Sequence, residues 1–140
     1  MPKEKGLESW EDLEVFTSKG ARIKDVRITI TDTSGILFNA GMCHKAPLED
    51  KSHVILAYSA QMKAIVFQFT SDSNAKGALK LLKRTGGASV GTRSFFSFYF
   101  LDPKKLAGRY EPVKERLPRI GEAWVIYLDK KLPEDEQHPQ

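Results

Sequence analysis

The stretch ALKLLKRTGGASVGTRSFFSFYFL, residues 78–101, decides how the rest of the chain is read. Leu79–Arg84 is expected as a strand, Thr85-Gly86-Gly87 as its turn and Ala88-Ser89-Val90 as a second short strand. Thr92 is a helix N-cap type, so a helix is expected from Arg93. Aromatics at 95, 96, 98, 99 and 100 fit neither a helical nor a strand period. The place of Arg93–Leu101 after a strand, a turn, a strand and a cap is what predicts a helix. Its rings are expected mainly inside, with one or two exposed. Gly86 and Gly91 have the spacing of a phosphate-cradling loop, but no lysine follows the last glycine. That lysine contacts the terminal phosphates, so the glycines are read as turn residues.

An earlier stretch has the same grammar. Val26–Thr31 alternates apolar residues with Arg27, Thr29 and Thr31, as a half-buried strand does. Asp32–Gly35 is a turn and Ile36–Phe38 a second strand. Asn39 is an N-cap for a short helix over Ala40–Ala46, ended by Pro47. Val54–Tyr58 and Ala64–Thr70 follow as strands around Ala60–Lys63. In the later copy Pro103 ends the helix and Ala123–Leu128 is the closing strand. The matching turns are 52 residues apart and the caps 53, and the later copy carries the insertion 104–120. Two such units can wrap around a pseudo-twofold axis into one barrel and hide their strand edges. The expected fold class is therefore α+β and β-rich, a small barrel from two β-β-α-β-like halves with short helices. The alternative is a coincidence of common elements, since few residues are identical between the halves.

The boundaries follow. Residues 1–140 form one domain: an N-terminal segment 1–20, a first unit 21–70, a polar linker 71–77, a second unit 78–128 and an acidic tail 129–140 expected to be disordered. Ser9–Phe16 is read as a short helical turn with Trp10, Leu13 and Phe16 on one face, followed by a turn at Ser18–Gly20. Asp102-Pro103 starts another helical turn, which Gly108 ends. Tyr110–Ile120 is a basic loop with room for an edge strand.

The order strand (Arg27–Thr31), Ser34-Gly35, short strand, helix to Ala46 and paired strands to Thr70 resembles an AbrB-like swapped-hairpin barrel unit. This is the fold of SpoVT/AbrB- and MazE-type regulators. Where that family usually carries Ile-Pro before the helix and Gly-Asp before the third strand, this chain has Phe38-Asn39 and Ser52-His53. The resemblance covers residues 26–70 and implies a DNA-binding regulatory role.

Charge points the same way. Residues 1–14 set two lysines against five acids, and residues 129–140 set two against four, so the body between carries +9 within a net charge of +4. Lys76, Lys80, Lys83, Arg84 and Arg93 have no acid among them. A basic body of this kind suits a polyanion, and equally a solvated surface. The expected phosphate contacts are Arg27, Lys80, Lys83, Arg84 and Arg93, helped by two helix N-termini. The alternative is a protein-interaction or assembly module, a homodimer, with no nucleic acid.

Little else suggests chemistry, and an enzyme is the less expected reading. The lone Cys43 is expected as a small buried residue, with His53 its only candidate partner through space. Three histidines and one cysteine show no metal spacing, and no carboxylate pair suggests acid–base work. No cofactor is expected. No secretory signal or membrane-spanning run is read, so a cytoplasmic location is expected.

Overall fold

A computed structural model of the chain describes residues 25–133. The expected helical turn at Ser9–Phe16, the turn at Ser18–Gly20 and the end of the acidic tail lie outside those residues.

The first hairpin is β1 (Ile28–Ile30) and β2 (Gly35–Asn39). Ile28, Ile30, Ile36 and Phe38 point inward and are essentially inaccessible, while Thr29 and Leu37 point out. Thr31 closes the turn: its N–H donates to the Gly35 carbonyl and its Oγ1 accepts from the Gly35 N–H, both at 2.9 Å. Asn39 then starts helix α1 (Ala40–Lys45) as expected, its Oδ1 accepting from the Met42 N–H at 2.9 Å. The same oxygen accepts from the Arg27 N–H, and Nδ2 donates to the Asp25 carbonyl at 2.7 Å. One side chain thus ties the approach to β1 to the start of α1. A single 3-10 turn, Leu48–Asp50, leads into β3 (His53–Ser59) and β4 (Ala64–Thr70).

After the loop at 71–77 come β5 (Ala78–Lys80), β6 (Leu82–Arg84) and β7 (Gly87–Gly91). Helix α2 (Arg93–Phe98) bears out the helical expectation for the first part of Arg93–Leu101 and ends before Tyr99. Then follow α3 (Pro103–Leu106), β8 (Gly108–Tyr110), β9 (Val113–Leu117) and β10 (Gly121–Tyr127). Asp102 caps α3 through Lys104 N–H, as its place before Pro103 predicts.

These strands form two antiparallel sheets, ordered β6-β7-β2-β1-β8 and β5-β3-β4-β10-β9. The core lies between them: Ile28, Ile30, Ile36, Phe38 and Val90 of one sheet meet Val54, Ile65, Phe67, Trp124 and Ile126 of the other. Phe38 packs edge-on against Phe67 at 5.7 Å between ring centroids. Both sheets interleave the halves of the chain, so residues 71–77 join units that cannot separate.

Two expectations need correction. Leu79–Arg84 is not one strand. Leu81 is buried, its N–H donates to the Ser52 carbonyl at 2.9 Å, and the chain crosses there from the edge of the second sheet to the edge of the first. Nor do the sheets close into the expected barrel. Closure would need β5 to pair with β6 and β8 with β9. One residue separates the first pair, and a hairpin needs a longer loop. Glu111-Pro112 separates the second, and the negative φ fixed by the proline ring cannot supply the positive φ that a type I′ hairpin turn needs at both loop residues. Both seams are therefore joined by the chain itself rather than by hydrogen bonds.

Strand β4 is buried on both faces. Ile65 and Phe67 face the main core, while Ala64 and Val66 pack with Ala123 and Val125 on the outer side of the second sheet. Leu117, Ile120 and Tyr127 border that second cluster. The β9–β10 turn reaches over it, and Gln68 Nε2 donates to the Ile120 carbonyl at 3.1 Å.

Candidate functional site

The five predicted phosphate contacts do not converge on one spot. Arg84 pairs across to Gly87, Gly87 to Asn39, and Arg27 lies opposite Asn39. Arg84 and Arg27 therefore share the outer face of the first sheet, three strand spacings or about 14 Å apart. Lys83 pairs with the inward-facing Ala88, so it points to the other side, where its Nζ donates to the Glu49 carbonyl at 3.1 Å. Lys80 lies on the edge of the second sheet, opposite His53. Arg93 sits beyond the far end of β7, at least four residues or about 13 Å from Arg84.

Their compensation differs too. The Arg27 guanidinium is 3.1 Å from the Asp25 carboxylate and also bonds the Val26 carbonyl. Lys114 and Arg116 of β9 share Glu122 at 3.7 and 4.0 Å. Among the described residues, no carboxylate pairs with Lys80, Lys83, Arg84 or Arg93. The helix N-termini add less than expected, because α1 and α2 are only six residues each. Asn39 occupies one N-terminal N–H of α1, and the Thr92 hydroxyl does not cap α2. That hydroxyl donates to the Ser34 carbonyl at 2.6 Å, tying β7 to the β1–β2 turn.

The largest departure from the sequence reading is in the aromatics. Phe96 is buried and Phe95 half-buried, but Phe98 is 73%, Tyr99 38% and Phe100 94% exposed. The rings form a chain outward, from Phe95 to Tyr99 at 5.2 Å and from Tyr99 to Phe98 at 4.9 Å, with Tyr58 of β3 against Tyr99 at 5.0 Å. The way α2 ends explains this. The Leu101 N–H donates to the Phe96 carbonyl at 2.8 Å and the Phe100 N–H to Ser97 at 3.2 Å. This is a Schellman termination, which places one residue in the left-handed region. That residue is Phe100, at φ 56°. Leu101 turns back toward the core and Phe100 is left in solvent. The failure of both periods over 95–100 is the signal for it: three consecutive rings at 98, 99 and 100 cannot all face one core.

Other reactive groups are quiet. Cys43 Sγ is 3.7 Å from the Phe38 carbonyl. Burial pushes its thiol above its ordinary value, partly offset by the Lys83 ammonium, so it stays protonated at neutral pH. His53 Nδ1 bonds Ser52 Oγ at 2.7 Å instead of serving Cys43. A cavity of about 560 Å³ beside the β8–β9 seam carries Glu111, Glu115, Tyr127 and Lys130. There the Tyr127 hydroxyl donates to Glu115. That bond, then burial, then the carboxylate charge hold the phenol above its ordinary value. Among the described residues no cluster of three metal-ligating side chains occurs, and no helix is long and apolar enough to cross a membrane.

No family model, curated protein or solved structure matches the chain.

Proposed function

We propose that this chain is a nucleic-acid-binding or regulatory domain that contacts phosphates through Lys80, Lys83, Arg84 and Arg93, with Arg27 in a lesser role. One observation carries the reading. Lys80, Lys83, Arg84 and Arg93 are all exposed, no acidic residue stands among them in sequence, and no carboxylate among the described residues pairs with any of them. Uncompensated like charges repel each other and cost stability, and a polyanion relieves both.

The duplication and the AbrB-like resemblance belong to the same proposal. The order of the first sheet is symmetric at its centre, with β6-β7 facing β2-β1. At that centre, Leu37 pairs with Ser89, 52 residues away, which equals the spacing of the matching turns. In a twofold arrangement a residue on the axis pairs with its own counterpart. Hairpins from two units side by side are also what a swapped-hairpin unit implies.

The test is a mobility shift at low salt with duplex and single-stranded probes. Binding is expected. Lys80→Ala, Lys83→Ala and Arg84→Ala together should weaken it and reduce its salt dependence. Absence of any shift overturns the reading, and a protein that elutes as a stable dimer indifferent to nucleic acid supports an assembly module instead.

A further inference from the structure

The end of the molecule that carries α2 and α3 combines features that the cation pattern alone does not explain. An open depression of about 660 Å³ is lined by Arg93, Ser94, Ser97 and Phe98. It offers one cation, two hydroxyls and one aromatic face. Phe100 stands just beyond it in a backbone conformation that favours glycine, with almost its whole ring in solvent. A left-handed phenylalanine is costly, and no packing of the exposed ring offsets the cost. Lys104 and Lys105 follow within one turn, both exposed, and Lys131 reaches the Lys105 carbonyl at 3.2 Å. The only carboxylate between Arg93 and Lys105 is Asp102, whose Oδ1 already accepts from the Lys104 N–H.

The fold does not require this arrangement. Helix α1 holds the corresponding place after β2 and ends in His44-Lys45 with no aromatic residue. The rings of α2 are an addition to the second half.

We infer that the α2–α3 end binds single-stranded nucleic acid, with Phe98 and Phe100 stacking on bases and Arg93, Lys104 and Lys105 holding the adjoining phosphates. The inference rests on the nucleic-acid reading above and narrows it to one substrate class. Stacking needs bases with open faces. A single strand presents them, whereas in a duplex each face is covered by the next base pair. The hydroxyls of Ser94 and Ser97 supply hydrogen bonds to sugar or base edges, which a purely apolar partner would leave unmet. The surrounding cations match a strand that carries one negative charge per nucleotide.

Fluorescence anisotropy on the full chain tests this with three probes: labelled oligo(dT) of about 15 nucleotides, the matching dA·dT duplex, and phosphatidylserine vesicles. Tighter binding of oligo(dT) than of the duplex is expected. Phe98→Ala and Phe100→Gly should each weaken oligo(dT) binding by about fivefold to a hundredfold at an unchanged salt slope. Arg93→Ala and Lys104→Ala should lower the slope instead. Phe100→Gly should also raise the thermal midpoint, so its loss of binding cannot come from unfolding. Equal binding of duplex and oligo(dT), with both phenylalanine variants unchanged, overturns the inference and leaves the phosphate-binding proposal standing. Binding to vesicles alone, lost in the phenylalanine variants, overturns both. So does loss of a dimer in those variants with no nucleic-acid binding at all.

Discussion

Phe100 shows how one residue can oppose stability and serve a surface. It fills the position of a Schellman termination that glycine fills at least cost, and its ring contributes no burial. Phe100→Gly should therefore stabilise the protein by about 0.5–1 kcal/mol, the left-handed penalty less the added chain entropy of glycine. Chemical denaturation would read the gain, and a loss would mean that the ring packs in solution. Asn39 is the opposite case, a small polar side chain with three bonds. Asn39→Ala removes the α1 cap and leaves the Arg27 N–H unpaired, a cost of about 1–2 kcal/mol. Asn39→Asp keeps the accepting oxygen and loses only the donation to Asp25, so its cost should be smaller. Cys43 should react slowly with iodoacetamide in the native protein and quickly once unfolded, because its thiolate is suppressed by burial.

At the scale of elements, hairpins were the legible part. Strict alternation over Val26–Thr31, the Thr-Ser-Gly turn and the Asn39 cap each have a local cause, and each element stands where the sequence places it. The strand at Ala64–Thr70 has its predicted ends. What could not be read is set by long-range packing. The break at Leu81 depends on Ser52 and on which sheet each side joins. The exposure of Phe98 and Phe100 depends on how α2 ends. Thr92 looks like a cap by type, but tertiary structure redirects its hydroxyl to Ser34, 58 residues away in sequence. Arg27, Lys80, Lys83, Arg84 and Arg93 were legible as cations but not as a constellation, because strand parity sends Lys83 and Arg84 to opposite sides. The β9–β10 hairpin makes a pH prediction of its own. Tyr127 has its folded-state phenol raised by the bond to Glu115. A raised group stabilises the fold below its unfolded value and loses that contribution as pH climbs through the folded one. The stability difference between wild type and Tyr127→Phe should thus be present at neutral pH and shrink above pH 10. A difference that grows with alkalinity would contradict the bond.

At the scale of the whole molecule, the two halves hold each other. Strand β2 pairs with β7 and β4 with β10 at the centres of the two sheets, and both pairings cross the loop at 71–77. A protease site placed in that loop and cut should leave two fragments that elute together and unfold in one transition. Fragments that separate under native conditions would show that the central pairings are weaker than their core suggests. The basic surface also has a plainer use, because lysine and arginine on edge strands such as β6 discourage edge-to-edge association. Salt dependence distinguishes that use from a binding role. The most direct measurement is the affinity of the full chain for labelled oligo(dT) as sodium chloride is raised from about 50 to 200 mM. The contacts at Lys80, Lys83, Arg84 and Arg93 should by themselves give a slope of log affinity against log salt of about −3, steeper where Lys104 and Lys105 also hold phosphates, and Lys83→Ala with Arg84→Ala should bring it closer to zero by about one to two. No binding at the lowest salt, or a slope that those substitutions leave unchanged, would contradict a phosphate-binding role for this surface.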